Sequence, residues 1–108
     1  ALQHELRSAE GCQLSAHLLV PGFTYTGMIR AFIPEKPEGA WTAAQVVAFM
    51  AESIASGDFY ILCPDNDTTR ETDNKRMSWA MGDLIENRPP LSRWHPDFQA
   101  QFDEFMQD

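Results

Sequence analysis

Apolar and polar positions follow two different periods along this chain, and each change of period marks an element. Leu2 and Leu6 stand four apart with Gln, Glu and Arg between them, which predicts a short opening helix. No Ser, Thr, Asp or Asn precedes it as a cap, and Gly11 is placed to end it. Residues 14–20, Leu-Ser-Ala-His-Leu-Leu-Val, read as a strand that is apolar on one face and mixed on the other, stopped by Pro21-Gly22. Residues 23–40 contain Pro34, Pro37 and Gly39 and show no period; 27–32 can form a short helix within what is otherwise loop.

Thr42 and Gln45 have capping-box spacing, after which Ala43, Val46, Val47, Met50 and Ile54 recur at helical intervals until Gly57 offers a stop. Residues 59–63, Phe-Tyr-Ile-Leu-Cys, are apolar or aromatic throughout and predict a strand covered on both faces, ended by Pro64-Asp65-Asn66-Asp67. Thr68 and Glu71 repeat the capping-box spacing ahead of a helix whose apolar stripe is Met77, Ala80, Met81, Leu84 and Ile85, finishing before Pro89-Pro90. Pro96 suits a first helical turn, and Phe98, Phe102 and Phe105 predict a short amphipathic helix. That Phe stripe reads as the seam that docks the helix, with binding of another subunit as the alternative. The order contains no repeat and no low-complexity segment.

Strand, loop, helix, strand is a βαβ crossover, which makes the two strands parallel. Parallel sheets occur almost only with both faces and most edges covered. Two strands and the helices predicted here do not achieve that, and open hydrogen-bonding edges beside Leu18, Val20, Ile61 and Leu62 are a state natural folds avoid. The expectation is an α/β chain that is part of a larger sheet, with further strands upstream or supplied by a second copy. The 108 residues allow a single partial domain, divided into a crossover over 1–64 and a helical C-terminal extension over 65–108.

Charge narrows the partners. Eight Lys+Arg against sixteen Asp+Glu leave a formal net charge of −8, a field that repels phosphate backbones and anionic lipid. Nucleic acid and membrane are therefore not expected as partners. The longest apolar run, 46–51, has six residues, far from the ~20 a bilayer helix needs. The opening residues have neither the basic start nor the apolar middle of a secretion signal. Cys12 and Cys63 lack CxxC spacing, which reads as two reduced core thiols in a cytoplasmic protein.

Candidate chemistry outside the strands is sparse. His4, His17 and His95 are too scattered for a metal site; His17 is expected on a strand with its ring hydrogen-bonded, and His95 near a helix start. Asp65, Asn66 and Asp67 lack the later Gly and Glu of a calcium loop and read as a solvated turn. Arg88, Arg93, Trp79 and Trp94 suggest either a stacked cation and aromatic pocket or, more commonly, a core Trp beside a surface Arg. Where a strand runs into Pro21-Gly22 and then Phe23-Thr24-Tyr25-Thr26-Gly27-Met28, the backbone can approach a ligand closely at Gly22, and the Thr hydroxyls can bond an amide or phosphate. The same residues also make an ordinary strand-ending turn.

Glu5-Leu6 in the opening helix, the strand ending His17-Leu18-Leu19-Val20-Pro21-Gly22, and Thr24-x-Thr26-x-Met28 together resemble the C-terminal third of the short-chain dehydrogenase/reductase family. The resemblance covers most of residues 1–64. It implies the C-terminal part of a Rossmann-type parallel sheet and, in the complete enzyme, NAD or NADP with a small-molecule alcohol or carbonyl substrate. It further implies that Pro21, Gly22 and Phe23 shape a turn against the nicotinamide, that the Thr24 backbone pairs with the carboxamide, and that the Thr26 hydroxyl anchors the carboxamide or pyrophosphate. Tyr25, Met28, Ile29 and Phe32 would belong to the substrate loop. The family's Gly-rich nucleotide loop, catalytic Ser and Tyr-x-x-x-Lys are absent: Tyr25 and Tyr60 lack a Lys four positions on, and the lysines are Lys36 and Lys75. No catalytic residue is assigned. The chain alone is expected to be inactive, with weak or no cofactor binding, and to associate with a missing N-terminal portion or with copies of itself. A non-catalytic, self-associating interaction module is the alternative.

Overall fold

A computed structural model describes residues 1–64 and 68–107, and the turn expected at Asp65, Asn66 and Asp67 lies outside the described residues. The chain mixes helix and strand and divides into two compact units, Ala1–Asp67 and Thr68–Asp108.

In the first unit, α1 (Leu2–Ser8) has no side-chain cap at its start and closes its last turn with Ser8 Oγ donating to the His4 carbonyl at 2.8 Å. It ends ahead of Gly11, because Ala9 is already extended; the left-handed φ of Gly11, 73°, serves the following turn. The strand expected over 14–20 is shorter. Only β1 (Leu18–Val20) pairs, with β4 (Tyr60–Leu62), in a parallel register of Leu18 to Tyr60, Leu19 to Ile61 and Val20 to Leu62. Upstream, side chains occupy the backbone instead: Ala16 N donates to Gln3 Oε1 at 2.6 Å, and the His17 ring lies 2.5 Å from the Asp58 carbonyl. A carbonyl only accepts, so the proton sits on Nδ1, and Nε2 accepts from Ser15 Oγ at 2.8 Å.

Alternation across the ribbon sends Leu19, Ile61 and Cys63 to one face and Leu18, Val20 and Tyr60 to the other. Ile61 is 1% exposed whereas Tyr60 is 64% exposed. The cover expected on both faces is thus present on one; Cys63 is buried with Ile61, whereas Cys12 is exposed and is not the core thiol expected. A second, two-residue parallel pair, β2 (Thr24–Tyr25) with β3 (Trp41–Thr42), was not signalled by any period. Trp41 N donates to the Phe23 carbonyl at 2.9 Å, and Lys36 Nζ donates to the Ala40 carbonyl at 2.6 Å, holding the loop that returns the chain to β2.

Between β3 and β4 runs α3 (Ala43–Ala55). Its capping box forms as expected: Gln45 N donates to Thr42 Oγ1 at 3.2 Å and Thr42 N to Gln45 Oε1 at 2.7 Å. Its end is a Schellman motif, with Asp58 N bonding the Ser53 carbonyl and Gly57 N the Ile54 carbonyl. Gly57 supplies the left-handed φ of 83° that the reversal into β4 requires. Val46 and Ser53 are buried, and Phe49 packs edge-on against Trp41 at 5.7 Å.

The second unit is a helical hairpin. α4 (Arg70–Glu86) is capped by Thr69, whose Oγ1 accepts from Thr72 N at 3.1 Å, one position beyond the expected Thr68. Thr69 prevails because Glu71 and Asp73 then both fall in the first turn, where carboxylates favour the helix dipole. After Asn87, in the left-handed conformation, two short 3₁₀ turns (Ser92–Trp94 and Pro96–Phe98) lead into α5 (Gln99–Gln107). Two of the three residues of the expected Phe seam dock: Phe102 and Phe105 each lie 5.4 Å, centroid to centroid, from Trp79, whereas Phe98 falls in the preceding 3₁₀ turn and packs edge-on against His95. The stripe expected to bury α4 does not. Met77, Met81, Leu84 and Ile85 are exposed, Leu84 to 78%, while Trp79 is 7% exposed. The rings of α5 are larger than any side chain of the stripe, and they select the Trp79 face.

Replacing Trp79 by Ala should therefore cost about 3–5 kcal/mol, whereas Leu84→Gln should stay within about 0.5 kcal/mol of the parent. Urea unfolding followed by circular dichroism checks both, and comparable losses would mean the stripe is the buried face.

Candidate functional site

The residues singled out from the sequence gather where β1 ends. Val20 leads into exposed Pro21 and Gly22, Phe23 is half-buried, and Thr24 and Tyr25 form β2. In the parallel bridge between Thr24 and Trp41 the neighbours of Thr24 make the ladder bonds, so the Thr24 amide and carbonyl point to the strand's other edge. Thr24 Oγ1 makes a long 3.4 Å contact with the Gly22 carbonyl. Thr26 is exposed at the cap position of α2 (Gly27–Arg30), and its hydroxyl makes no capping bond. A short segment thus presents two hydroxyls and a set of peptide groups to an incoming polar ligand.

The proposed substrate loop is fastened at its base. Tyr25 Oη donates to the Ile33 carbonyl at 2.6 Å, and the Arg30 guanidinium lies 5.5 Å from the Tyr25 ring. Ile29 is half-buried, with the amides of Phe32 and Ile33 bonding its carbonyl at 3.0 and 2.9 Å. Met28 and Phe32 carry their apolar side chains outward. The structure therefore ties Tyr25 to the loop backbone at Ile33, half-buries Ile29 and leaves Met28 and Phe32 exposed. The partner of Tyr25 is a backbone carbonyl eight residues away, which residue types do not reveal.

A second polar constellation occupies the helical hairpin, and its anchor, Asp83, carried no sequence signal beyond helix periodicity. Asp83 Oδ1 accepts from Arg88 Nε at 2.8 Å and from Ser92 Oγ, and Asp83 Oδ2 accepts from Ser92 N at 3.2 Å. Ser92 Oγ in turn accepts from Trp79 Nε1 at 2.8 Å. The Arg88 guanidinium stacks 3.9 Å from the Trp79 ring centroid, donates to the Trp79 carbonyl at 2.7 Å and pairs with Glu86. Gly82 leaves it room, since a Cβ there would come within 2.5 Å of Arg88 Nη2. The Arg88 side chain is 12% exposed, so it is a half-buried stacking partner of Trp79 and not the surface cation expected. An open groove of about 550 Å³ beside it is lined by Trp79, Arg88, Phe105 and Glu104. With its donors engaged, Arg88 serves the architecture. His95 caps the 3₁₀ turn, its Nδ1 accepting from Asp97 N at 3.1 Å.

No known protein family, curated protein or solved structure matches the chain. Among the described residues no three His, Cys, Asp or Glu side chains form a metal-binding group, and no helix is long and apolar enough to cross a membrane.

The Ser92 hydroxyl first, and then Arg88, hold the Asp83 carboxyl below its ordinary value of 3.8, outweighing the opposing effect of burial. A carboxyl with a depressed folded pKa contributes stability above its unfolded value and loses it as pH falls through the folded one. Unfolding midpoints should accordingly drop below about pH 4 in the parent, while Asp83→Asn should be less stable at pH 7 and show a shallower decline in acid. Identical acid profiles would exclude the carboxylate as the anchor. Tyr25→Phe should speed amide hydrogen exchange at Phe32 and Ile33 severalfold while leaving α3 unchanged; equal rates would show that the hydroxyl does not fasten the loop.

Proposed function

We propose that the chain forms the C-terminal part of an NAD(P)-dependent short-chain dehydrogenase/reductase, supplying the nicotinamide-side wall and the substrate loop. The observation that carries this reading is the parallel pairing of β1 with β4 across α3, with β1 running directly into Pro21-Gly22 and the two threonines. Ligands of open α/β sheets lie beyond the carboxyl ends of the strands, and the available polar groups suit a carboxamide: peptide donors and acceptors at Thr24 and a hydroxyl without a cap bond at Thr26. The bare edge and bare face of the two-stranded ribbon fit a larger parallel sheet, because an isolated one exposes unpaired backbone.

When bound, the nicotinamide would exchange a hydride with the carbinol carbon of an alcohol, giving a ketone or aldehyde. The residues of this chain would orient the ring through Thr24 and Thr26 and cover the substrate with Met28, Ile29 and Phe32, excluding water. The general acid or base that handles the hydroxyl proton would belong to other residues, since neither tyrosine here is followed four positions later by Lys.

A second reading rests on the same bare face. Leu18, Val20 and Tyr60 form an apolar strip that another copy could cover, making the chain a non-catalytic, self-associating module.

Titration of ¹⁵N-labelled chain with NAD⁺, nicotinamide mononucleotide and AMP separates the two. The first reading expects millimolar shifts at Thr24, Thr26 and Gly27 with the nicotinamide compounds and not with AMP, and no NAD(P)H-dependent carbonyl reduction by the chain alone. Silence at those amides, together with a discrete dimer that Tyr60→Lys dissociates, would replace it with the second.

A further inference from the structure

α4 is apolar on two sides, and α5 covers one of them. At 3.6 residues per turn, Met77, Met81, Leu84 and Ile85 centre on a line roughly opposite Trp79, whose ring is buried against Phe102 and Phe105. Met81, Leu84 and Ile85 are each more than half exposed. So is Leu91, which follows the helix and borders a groove of about 360 Å³ together with Ala80, Leu84 and Pro90. With Met77, these side chains leave roughly 600 Å² of apolar surface in water, the upper end of what the largest patch on a monomer reaches. Two copies meeting on this face would bury roughly 1,200 Å², above the ~1,000 Å² expected of a biological interface and at the lower limit of the standard size.

Charge and shape decide what covers it. From Met77 to Gly82 the helix carries no charged residue, and Asp83, which also borders the groove, has its oxygens engaged by Arg88 and Ser92. A charged partner would find no counter-charge on the stripe. A second copy needs none: each chain has a formal net charge of −8, yet the surfaces that meet are neutral. The stripe also holds both halves of a knob-and-hole contact, methionine side chains that adapt to gaps and a groove beside Leu84 that receives them. A two-fold interface requires that kind of self-complementarity. Crossing antiparallel about Met81 sets Met77 of one copy against the partner's Ile85 and opposes the two helix dipoles.

We infer that the face of α4 formed by Met77, Met81, Leu84 and Ile85 is a dimer interface, on which a second copy of the chain packs antiparallel with the two-fold axis at Met81. The interface involves the second unit alone, differs from the strip of Leu18, Val20 and Tyr60, and does not rest on the function proposed above.

Sedimentation equilibrium of the full chain, from about 10 µM to about 1 mM, tests this. An interface of this size predicts a monomer–dimer equilibrium with a Kd on the order of 100 µM. Leu84→Gln should raise that Kd at least about tenfold, and Tyr60→Lys should leave it unchanged. At the low micromolar concentrations of a urea experiment the chain is then monomeric, so Leu84→Gln alters association without moving the unfolding midpoint. Register is read by cross-linking in a Cys12→Ser background. Met81→Cys should form a covalent dimer on oxidation at least about tenfold faster than Met77→Cys, because the two copies of residue 77 lie ~12 Å apart along the helix axes. A chain that stays monomeric at the highest concentration overturns the inference, as does a dimer that Tyr60→Lys dissociates and Leu84→Gln leaves intact. Equally fast cross-linking at 77 and 81 overturns it as well. Should Leu84→Gln lose helix by circular dichroism, Ile85→Gln takes its place.

Discussion

Two strands that run in the same direction cannot be joined by a tight turn, and from that constraint most of the first unit follows. Leu18–Val20 and Tyr60–Leu62 pair in parallel, so the chain between them must leave one end of the ribbon and return to the other. α3 makes the return. Its capping box at Thr42 and Gln45 and its Schellman end at Gly57 keep both ends of the helix hydrogen-bonded, so the crossover has a definite length and delivers Ile61 into the interior with its side chain inward. The outgoing segment has to go somewhere before α3 begins, and it does so as the Pro21-Gly22 turn, β2, the fastened loop and the Lys36-supported return to Trp41. The candidate site is therefore a by-product of parallel pairing.

The helical hairpin depends on a different kind of contact. Trp79 has one buried ring serving three purposes: its edges and faces receive Phe102 and Phe105, its other face carries Arg88, and its indole N–H enters a hydrogen-bonded chain through Ser92 to Asp83. Burying charge is tolerated there because each polar atom of the chain meets a partner.

Several features were legible in residue types alone because they are local. Thr42 and Gln45 three apart, Gly57 after the last apolar position and Pro96 at a first turn each act through bonds or dihedrals within about one turn of chain, and the structure carries all of them. The βαβ order was readable for the same reason, since the continuous apolar run around Ile61 and the helix before it left parallel pairing as the simplest connection. The spacing points to Thr68 where the structure uses Thr69, because either of two adjacent threonines can cap, and the choice turns on which carboxylates then reach the first turn.

What the tertiary structure decided concerns faces and partners. Met77, Met81, Leu84 and Ile85 have the periodicity of a buried stripe, yet the ring edges of α5 select Trp79, a choice that depends on the volume of a neighbour distant in sequence. Pairing of β2 with β3 spans a loop of many residues for only two ladder positions, too little to impose a period. The Tyr25 bond to a carbonyl and the Asp83 cluster both involve groups that any residue or many residues could have offered. Composition and spacing determined which elements form, because helix ends and strand runs are short-range. Which side of each element is covered, and which polar groups are left facing one another, was set only when distant segments met, because burial and charge are properties of a place and not of a residue.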